Sequence, residues 1–371
     1  MKFVTLFLKT ENVHLQKDVG MIPFLLHKYY GYDSGIVTYR NGADYPYARN
    51  EVKGLGLWFL KKRLGIIADG CFYLMRNAKR IDILNVYHLN LSSFFYLFTY
   101  RIFRKRGSIA YLKLDMNPLG LKNAFLRGQV LWIKRRTMAF ADIMSVESTL
   151  LLRELKKHYG DKVFYLPNGY SLPERKVTVK KEDVILTVGN LGTREKATDV
   201  LLEAFADCAD RQGFTLRLVG SVTEEFRAYQ EACFEKYPAL RERVVFCGSI
   251  QDKNLLAAEY DKAKIFAFPS RSESFGIVLT EASSRGDYII TTEGVPAGYD
   301  ISCQGKYGMV IGIDDRKALS EAFVKLWNMP LDWEGQAEEI RHYTEEHFQW
   351  EKLCAVLQSA LAAECGERKN E

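Results

Sequence analysis

The sequence predicts an α/β protein of two consecutive domains, each a parallel sheet flanked by helices. Three observations point there. At 371 residues the chain is long for one hydrophobic core and comfortable for two. Short apolar runs alternate with amphipathic stretches from end to end, which is the rhythm of β-α-β units. That rhythm halts once, in the turn-rich, charged segment YLPNGYSLPERKVTVKKED (Tyr165–Asp183), and then restarts.

Taken in order, FVTLFL (Phe3–Leu8) reads as the first strand, IVTYR (Ile36–Arg40) as the second, and DILNVYH (Asp82–His88) and IAYLKLD (Ile109–Asp115) as later ones. After the break come VILTVG (Val184–Gly189), LRLVG (Leu216–Gly220), VVFCG (Val244–Gly248), IFAFPS (Ile265–Ser270) and YIITT (Tyr288–Thr292). The expected boundaries are a first Rossmann-like domain over 1–170, a linker over 171–182, a second such domain over 183–345, and a closing segment over 346–371. A cleft between the domains is part of this expectation. Parallel sheets bind ligands beyond the carboxyl ends of their strands, so the loops there are the candidate sites.

Composition narrows the function classes. A hydrophobic fraction of 47% with 26% charged residues suits a folded chain rather than a disordered one. The seven cysteines are scattered and never spaced C-x-x-C, so neither a disulfide framework nor a zinc site is indicated, and a reducing cytosol fits. The opening MKFVTLFLKTEN is too short in apolar residues for a signal-peptide core, and no run approaches the ~18 apolar residues of a membrane span.

Charge is uneven. Residues 1–170 hold 27 Lys and Arg against 12 Asp and Glu, whereas the remainder holds 25 against 34. The basic excess sits beside apolar residues in GLGLWFLKKRLG (Gly54–Gly65), FFYLFTYRIFRKRG (Phe94–Gly107) and LWIKRRTMAF (Leu131–Phe140). Such mixtures suit the interface of an anionic bilayer; the plainer alternative is solvated outer faces of helices, with basic side chains covering apolar surface. No helix-turn-helix, RRM or zinc-finger pattern accompanies the charge, so nucleic acid is not the expected partner.

Several strand-end loops of the second half carry polar or glycine residues. NLGTREK brings Arg194 and Lys196, Gly248 is followed by Ser249 and Ile250, and RSESFGIVLTEA brings Gly276 to the start of a helix. Free amides at a helix start, approached closely through glycine and backed by cations, make an anion pocket. Within that last loop Glu273 and Glu281 are eight residues apart. On one helix they would be ~12 Å apart and out of register, whereas glycosidase pairs need about 5–5.5 or 6.5–9.5 Å. The pair therefore reads as holding a ligand rather than hydrolysing one.

The blocks VGNLGTREKATDVLLEAF (Val188–Phe205) and FPSRSESFGIVLTEA (Phe268–Ala282) resemble the retaining glycosyltransferases of family 4, which have the two-Rossmann GT-B fold and an E-x7-E motif. The PNG of Pro167–Gly169 and the F-x-W of Phe348–Trp350, ahead of a last helix that crosses back to the N-terminal domain, are similar to that family as well. The resemblance implies that Glu273 accepts hydrogen bonds from donor-sugar hydroxyls, that Glu281 holds a ribose, and that Ser274, Phe275 and Gly276, with Ile277 behind them, offer backbone donors. It places Arg194 and Lys196 on the donor diphosphate, Gly248, Ser249 and Ile250 near the base, and Gly20 in a glycine loop facing the diphosphate. The chain departs from the family at Asn190, where many relatives have Arg, and at Lys196-Ala197 in place of Lys-Gly. In place of the usual histidine motif of the first domain it has YLKLDMN, leaving Asp115 and His88 as candidates near the reacting centre.

The activity implied is retaining transfer of a sugar from a nucleotide-diphosphate sugar, UDP-linked first and GDP-linked next. No D-x-D is present to hold a metal on the diphosphate, and neither metal nor other cofactor is expected. With the basic clusters, the expected acceptor is a polyprenyl-diphosphate-linked saccharide of capsule, exopolysaccharide or O-antigen synthesis, and the expected location is cytoplasmic, peripheral on the inner face of the plasma membrane. A soluble or protein acceptor, a sugar-nucleotide epimerase on the same fold, and a non-catalytic basic membrane-binding module are the alternatives.

Overall fold

The computed structural model describes residues 1–116, 129–173 and 179–370; residues 174–178 of the expected linker lie outside them. The chain forms two compact units, Met1–Gly169 with Trp350–Glu371, and Tyr170–Gln349.

The first unit is built on seven parallel strands: β1 (Lys2–Leu6), β2 (Asp33–Thr38), β3 (Gly56–Phe59), β4 (Ile83–Tyr87), β5 (Ile109–Leu114), β6 (Ile143–Val146) and β7 (Val163–Tyr165), in spatial order β3-β2-β1-β4-β5-β6-β7. The central strands are buried on both faces, as near-continuous apolar runs in an all-parallel sheet must be. On one face Val4, Leu84, Leu112 and Met144 pack under the helices Ile66–Asn77, Leu91–Phe103 and Gln129–Phe140. On the other, Phe3, Ile83, Ile109 and Tyr111 meet the helix Asp18–Tyr30 and the closing helix Trp350–Asn370 through Trp350, Leu353, Leu357 and Leu361. Gly169 passes so close to the Trp350 indole that a Cβ there would lie 2.6 Å from the ring, which gives the glycine of the PNG stretch a packing reason.

The second unit repeats the plan with six parallel strands: β8 (Glu182–Val188), β9 (Thr215–Val219), β10 (Val244–Gly248), β11 (Ala263–Phe268), β12 (Tyr288–Thr292) and β13 (Gly308–Ile311), in order β10-β9-β8-β11-β12-β13. In both sheets the chain runs outward from its first strand to one edge and then returns to that strand's other side. The strand order therefore reverses between β1 and β4 and between β8 and β11. At such a switch point the flanking connections leave to opposite faces of the sheet and open a crevice at the carboxyl ends.

Three sequence readings need adjusting. The strands β3, β6, β7 and β13 were not expected. A third of the basic aromatic segment Gly54–Gly65 is edge strand β3, whose Trp58 packs over Gly35 with the Lys2 ammonium 4.8 Å above its ring. Gly20 does not lie in a loop: it is the third residue of the helix Asp18–Tyr30, and a Cβ would meet the Leu15 carbonyl oxygen at 2.2 Å.

Candidate functional site

At the switch point of the second unit, β8 leads through Gly189 and Asn190 to a single turn at Arg194–Lys196, and β11 leads through Ser270 to Gly276. The two loops are bolted together. The Arg271 amide donates to the Glu195 carbonyl at 2.7 Å, and its guanidinium donates to the Arg194 carbonyl at 2.7 Å, to Asp199 at 2.8 Å and to Asp314 at 2.6 Å. Within this frame the Lys196 ammonium pairs with the Glu273 carboxylate and lies 4.7 Å over the Phe268 ring. The Ser270 hydroxyl lies 3.0 Å from the same carboxylate oxygen, and the Glu273 amide donates to the Gly294 carbonyl at 3.0 Å. Both charged side chains keep about a fifth of their surface open, at 24% and 19%, so the pair is formed yet reachable.

Gly276 is the N-cap of the helix Ile277–Ser284, with φ +84°, a left-handed conformation that costs glycine nothing. Its neighbour Phe275 is buried against Phe348, with ring centroids 6.5 Å apart, and anchors the turn from below. Glu273 thus precedes the helix and Glu281 sits within it. Glu281 accepts a hydrogen bond from the Tyr260 hydroxyl at 3.0 Å, and burial pushes its carboxyl up to about 7 despite that bond. Asn190 is exposed and its side-chain oxygen accepts from Ser221 at 3.3 Å; Gly248, at φ +72° the last residue of β10, and Ser249 after it are exposed, with Ile250 half-buried. Ala197, where the family pattern has glycine, adopts φ +49° and is fully buried. Arg194 is exposed.

At the switch point of the first unit a cavity of ≈ 260 Å³ opens between Phe7–Lys9 after β1 and His88 after β4, with Asn90 and Ser93 on its wall. His88 holds φ +64°, an unusual conformation for a residue with a side chain, and its amide donates to the Lys113 carbonyl at 3.1 Å. Its Nδ1 lies 3.8 Å from Asp115 Oδ2. The two residues that stood as alternatives in the sequence are neighbours.

Behind them lies a group that the sequence did not suggest. The Lys113 side chain is fully buried, with its ammonium 3.1 Å from Glu147 and 3.7 Å from Asp18, and it donates to the Leu166 carbonyl at 3.2 Å. The Asn168 amide donates to the same Glu147 oxygen at 2.7 Å. Burial drives the Glu147 carboxyl up to about 8, opposed by Lys113 and reinforced by Asp115 and Asp18. Burial also raises Asp18. Burial alone would lower Lys113, but Glu147 and Asp18 hold it above its ordinary value. Three buried oxygens here, Asp115 Oδ1, Glu147 Oε2 and Asn168 Oδ1, find no hydrogen-bond partner among the described residues. A set of acceptors without donors is poised for hydroxyl groups or a shared proton. Among the described residues no three His, Cys, Asp or Glu side chains are grouped to hold a metal ion, and no helix is long and apolar enough to cross a membrane.

The missed residues had weak signals: Asn168 lies in the PNG stretch, Arg271 opens the RSESFG loop itself, and Glu147 comes directly after a strand.

Comparison with known proteins agrees with this geometry. Residues 182–329, which contain the switch point of the second unit, match the family of glycosyl transferases group 1. An uncharacterised 41.2 kDa protein of the cps region of Klebsiella pneumoniae is 29% identical over 155 residues, 40% of each chain. The lipopolysaccharide core biosynthesis mannosyltransferase LpcC of Rhizobium leguminosarum is 23% identical over 179 residues, 47% of this chain and 50% of that one. The chain thus matches about half the length of these curated relatives or less. Among solved structures, sucrose-phosphate synthase from Thermosynechococcus elongatus aligns with a TM-score of 0.75 at 17% identity over 98% of both chains. HepE of Anabaena in complex with UDP aligns with a TM-score of 0.75 at 14% identity, over 98% of this chain and all of that one. The chain therefore has the two-domain α/β fold of these GT-B structures, and its residues 182–329 match the model of the glycosyl transferases group 1 family.

Proposed function

We propose that the protein is a retaining glycosyltransferase that moves a sugar from a nucleotide-diphosphate sugar, UDP-linked first and GDP-linked next, to a hydroxyl of a polyprenyl-diphosphate-linked saccharide in bacterial surface polysaccharide synthesis. The observation that carries this reading is the Lys196–Glu273 pair, held beside the Gly276 helix start at the switch point of the matched domain. A diphosphate has a natural seat there, between a cation and free helix amides. In the absence of donor, Glu273 engages Lys196. When the diphosphate takes over the ammonium, the Glu273 carboxylate is released to accept hydrogen bonds from the sugar. Arg194, exposed on the same loop, adds a second cation, and Glu281 accepts from the ribose.

Transfer then needs no protein nucleophile. The sugar–phosphate bond breaks with its charge on a stabilised diphosphate, the acceptor hydroxyl attacks from the same face, and its proton passes to the departing phosphate. The unpartnered oxygens of Asp115, Glu147 and Asn168, with His88 beside the cavity, supply acceptor-side hydrogen bonding in the first unit. Support from relatives is of the same kind: HepE was solved with UDP and with UDP-glucose, and LpcC is named for lipopolysaccharide core synthesis. Exposed Phe98, Ile102 and Trp132 among basic residues suit a protein that works on the inner face of the plasma membrane.

A screen of UDP-, GDP-, ADP- and dTDP-sugars for binding and turnover tests the reading, with product anomeric configuration read by NMR. Binding of none of these donors, or an inverted product, would overturn it. Conversion of the donor sugar without any acceptor would indicate an epimerase.

A further inference from the structure

The first unit holds a second cavity, of ≈ 460 Å³, formed by the loop after β3 and the helix Ile66–Asn77. Its wall combines three cations, Lys61, Arg63 and Arg76, with the apolar Leu64, Phe72 and Tyr73. The loop is fixed rather than floppy. The Asp69 carboxylate, less than a tenth exposed, accepts the amides of Arg63 at 2.8 Å and Leu64 at 3.1 Å and the Tyr39 hydroxyl at 2.6 Å. Those bonds hold its pKa down near 2, so it is a permanent anion already occupied by the protein itself. Among the described residues no carboxylate lies within ion-pair distance of the side chains of Lys61, Arg63 or Arg76. Three uncompensated cations around one engaged carboxylate leave the cavity net positive.

Its apolar rim is equally unpartnered. Leu64 and Phe72 are 69% and 41% exposed, Met75 beside them on the helix Ile66–Asn77 is 48% exposed, and the helices Leu91–Phe103 and Gln129–Phe140 continue the same layer with exposed Phe98, Ile102 and Trp132. A nucleotide or free sugar would leave that rim in water, and a neutral lipid would leave the cations unmatched. The geometry points to the phosphate of a membrane lipid as the occupant, its headgroup on Lys61, Arg63 and Arg76 and its hydrocarbon chain across Leu64, Phe72 and Met75. Guanidinium groups suit phosphate through paired N–H donors, and a phosphate carries one negative charge as a diester and nearly two as a monoester at neutral pH.

The cavity also stands in a telling place. Leu64 and Asp69 line it, while Ile66, on the same helical turn, lines the His88 cavity at the switch point. A lipid phosphate in the first would hold the saccharide attached to it toward the second. This last step rests on the glycosyltransferase reading; the phosphate-lipid site itself does not.

The test uses the full chain and three probes measured by equilibrium binding: farnesyl phosphate, farnesol and inorganic phosphate. Farnesyl phosphate is expected to bind, with farnesol and inorganic phosphate at least about tenfold weaker, since each supplies half of the recognition. The double variant Arg63→Gln/Arg76→Gln should weaken farnesyl phosphate by about tenfold or more, while Arg136→Gln, on the neighbouring helix, should not. Both arginines are exposed, so folding is expected to survive, and an unchanged melting temperature with unchanged UDP binding documents it. Equal binding of farnesyl phosphate by the double variant and the native protein would overturn the proposal, as would equal binding of farnesol or of inorganic phosphate. Failure of the native protein to bind any nucleotide sugar would sink the transferase reading while leaving this site standing.

Discussion

In the second unit the Lys196 ammonium meets Glu273 on two loops that remain partly open to water; in the first, Lys113 meets Glu147 and Asp18 with essentially no exposure. The open pair sits where the strand order of its sheet reverses, and the closed cluster lies behind the corresponding point of the other sheet, on β5 and after β6. The open pair has its hydrogen bonds made and can exchange them for a ligand's. The closed cluster places two carboxylates around one ammonium, leaves oxygens without donors and pushes the Glu147 carboxyl far from its ordinary range. Desolvation separates the two: a paired surface charge adds little to stability, whereas a buried charge depends on its partner. The open pair is therefore expected to govern donor binding and turnover, and the buried Lys113 pairs to govern stability.

The sharpest way to break that contrast is at Glu273. Glu273→Ala should lower turnover by about 10²–10³-fold, the scale of losing one well-aimed group in the transition state, and change stability by less than ~1 kcal/mol. Cys303→Ala, away from the site, should do neither. A fully active Glu273→Ala enzyme in a transfer assay would remove this residue from the site.

The closed cluster should behave in the opposite way. Lys113→Met strands Glu147 and Asp18 without a cation, and urea unfolding should show a loss of about 3–5 kcal/mol. Adding Glu147→Gln should restore part of it, because a neutral amide no longer needs the ammonium. If Lys113→Met costs no more than the Glu273 variant, burial does not distinguish the two sites.

Lys196→Ala should act on the ligand alone. One charge-assisted hydrogen bond to a diphosphate corresponds to roughly 10-fold to 100-fold weaker UDP binding, read by titration calorimetry, with a shallower salt dependence and a melting temperature close to native.

The contrast also explains what the sequence could and could not disclose. Glu273, Gly276 and Glu281 lie within nine residues, and the Lys196 turn follows a recognisable strand, so a local window holds the chemistry of the open site. The closed cluster is assembled from Asp18 at the start of the helix Asp18–Tyr30, Lys113 on β5, Asp115 just after it, Glu147 after β6 and Asn168 after β7. No spacing links these positions, and only the strand order brings them together. The long, strongly apolar strands were legible for the same local reason. The four unexpected strands are three or four residues each, and β3 lies inside a basic aromatic run whose composition speaks for a surface rather than a sheet. Gly20 stood in a diphosphate-facing loop through the family resemblance; in the structure it is helical and its close approach is to the Leu15 backbone.

Glu281 crosses the divide and offers the finest test. It belongs to the open site by sequence, yet burial lifts its carboxyl to about 7, as in the closed cluster. A carboxyl whose folded pKa exceeds its unfolded value stabilises the fold fully below the unfolded pKa and loses that contribution as pH rises through the folded one. The native protein should therefore lose stability between about pH 4.5 and 7 from this group, by roughly 3 kcal/mol, and Glu281→Gln should not. Urea unfolding at pH 5 and pH 8 reads the difference; an identical gap between the two proteins at both values would refute the shift. A ribose that donates its hydroxyls to this carboxyl favours the ionised form, so UDP binding near pH 7 should release a proton. Calorimetry in buffers of different ionisation enthalpy should detect that release in the native protein and lose it in Glu281→Gln.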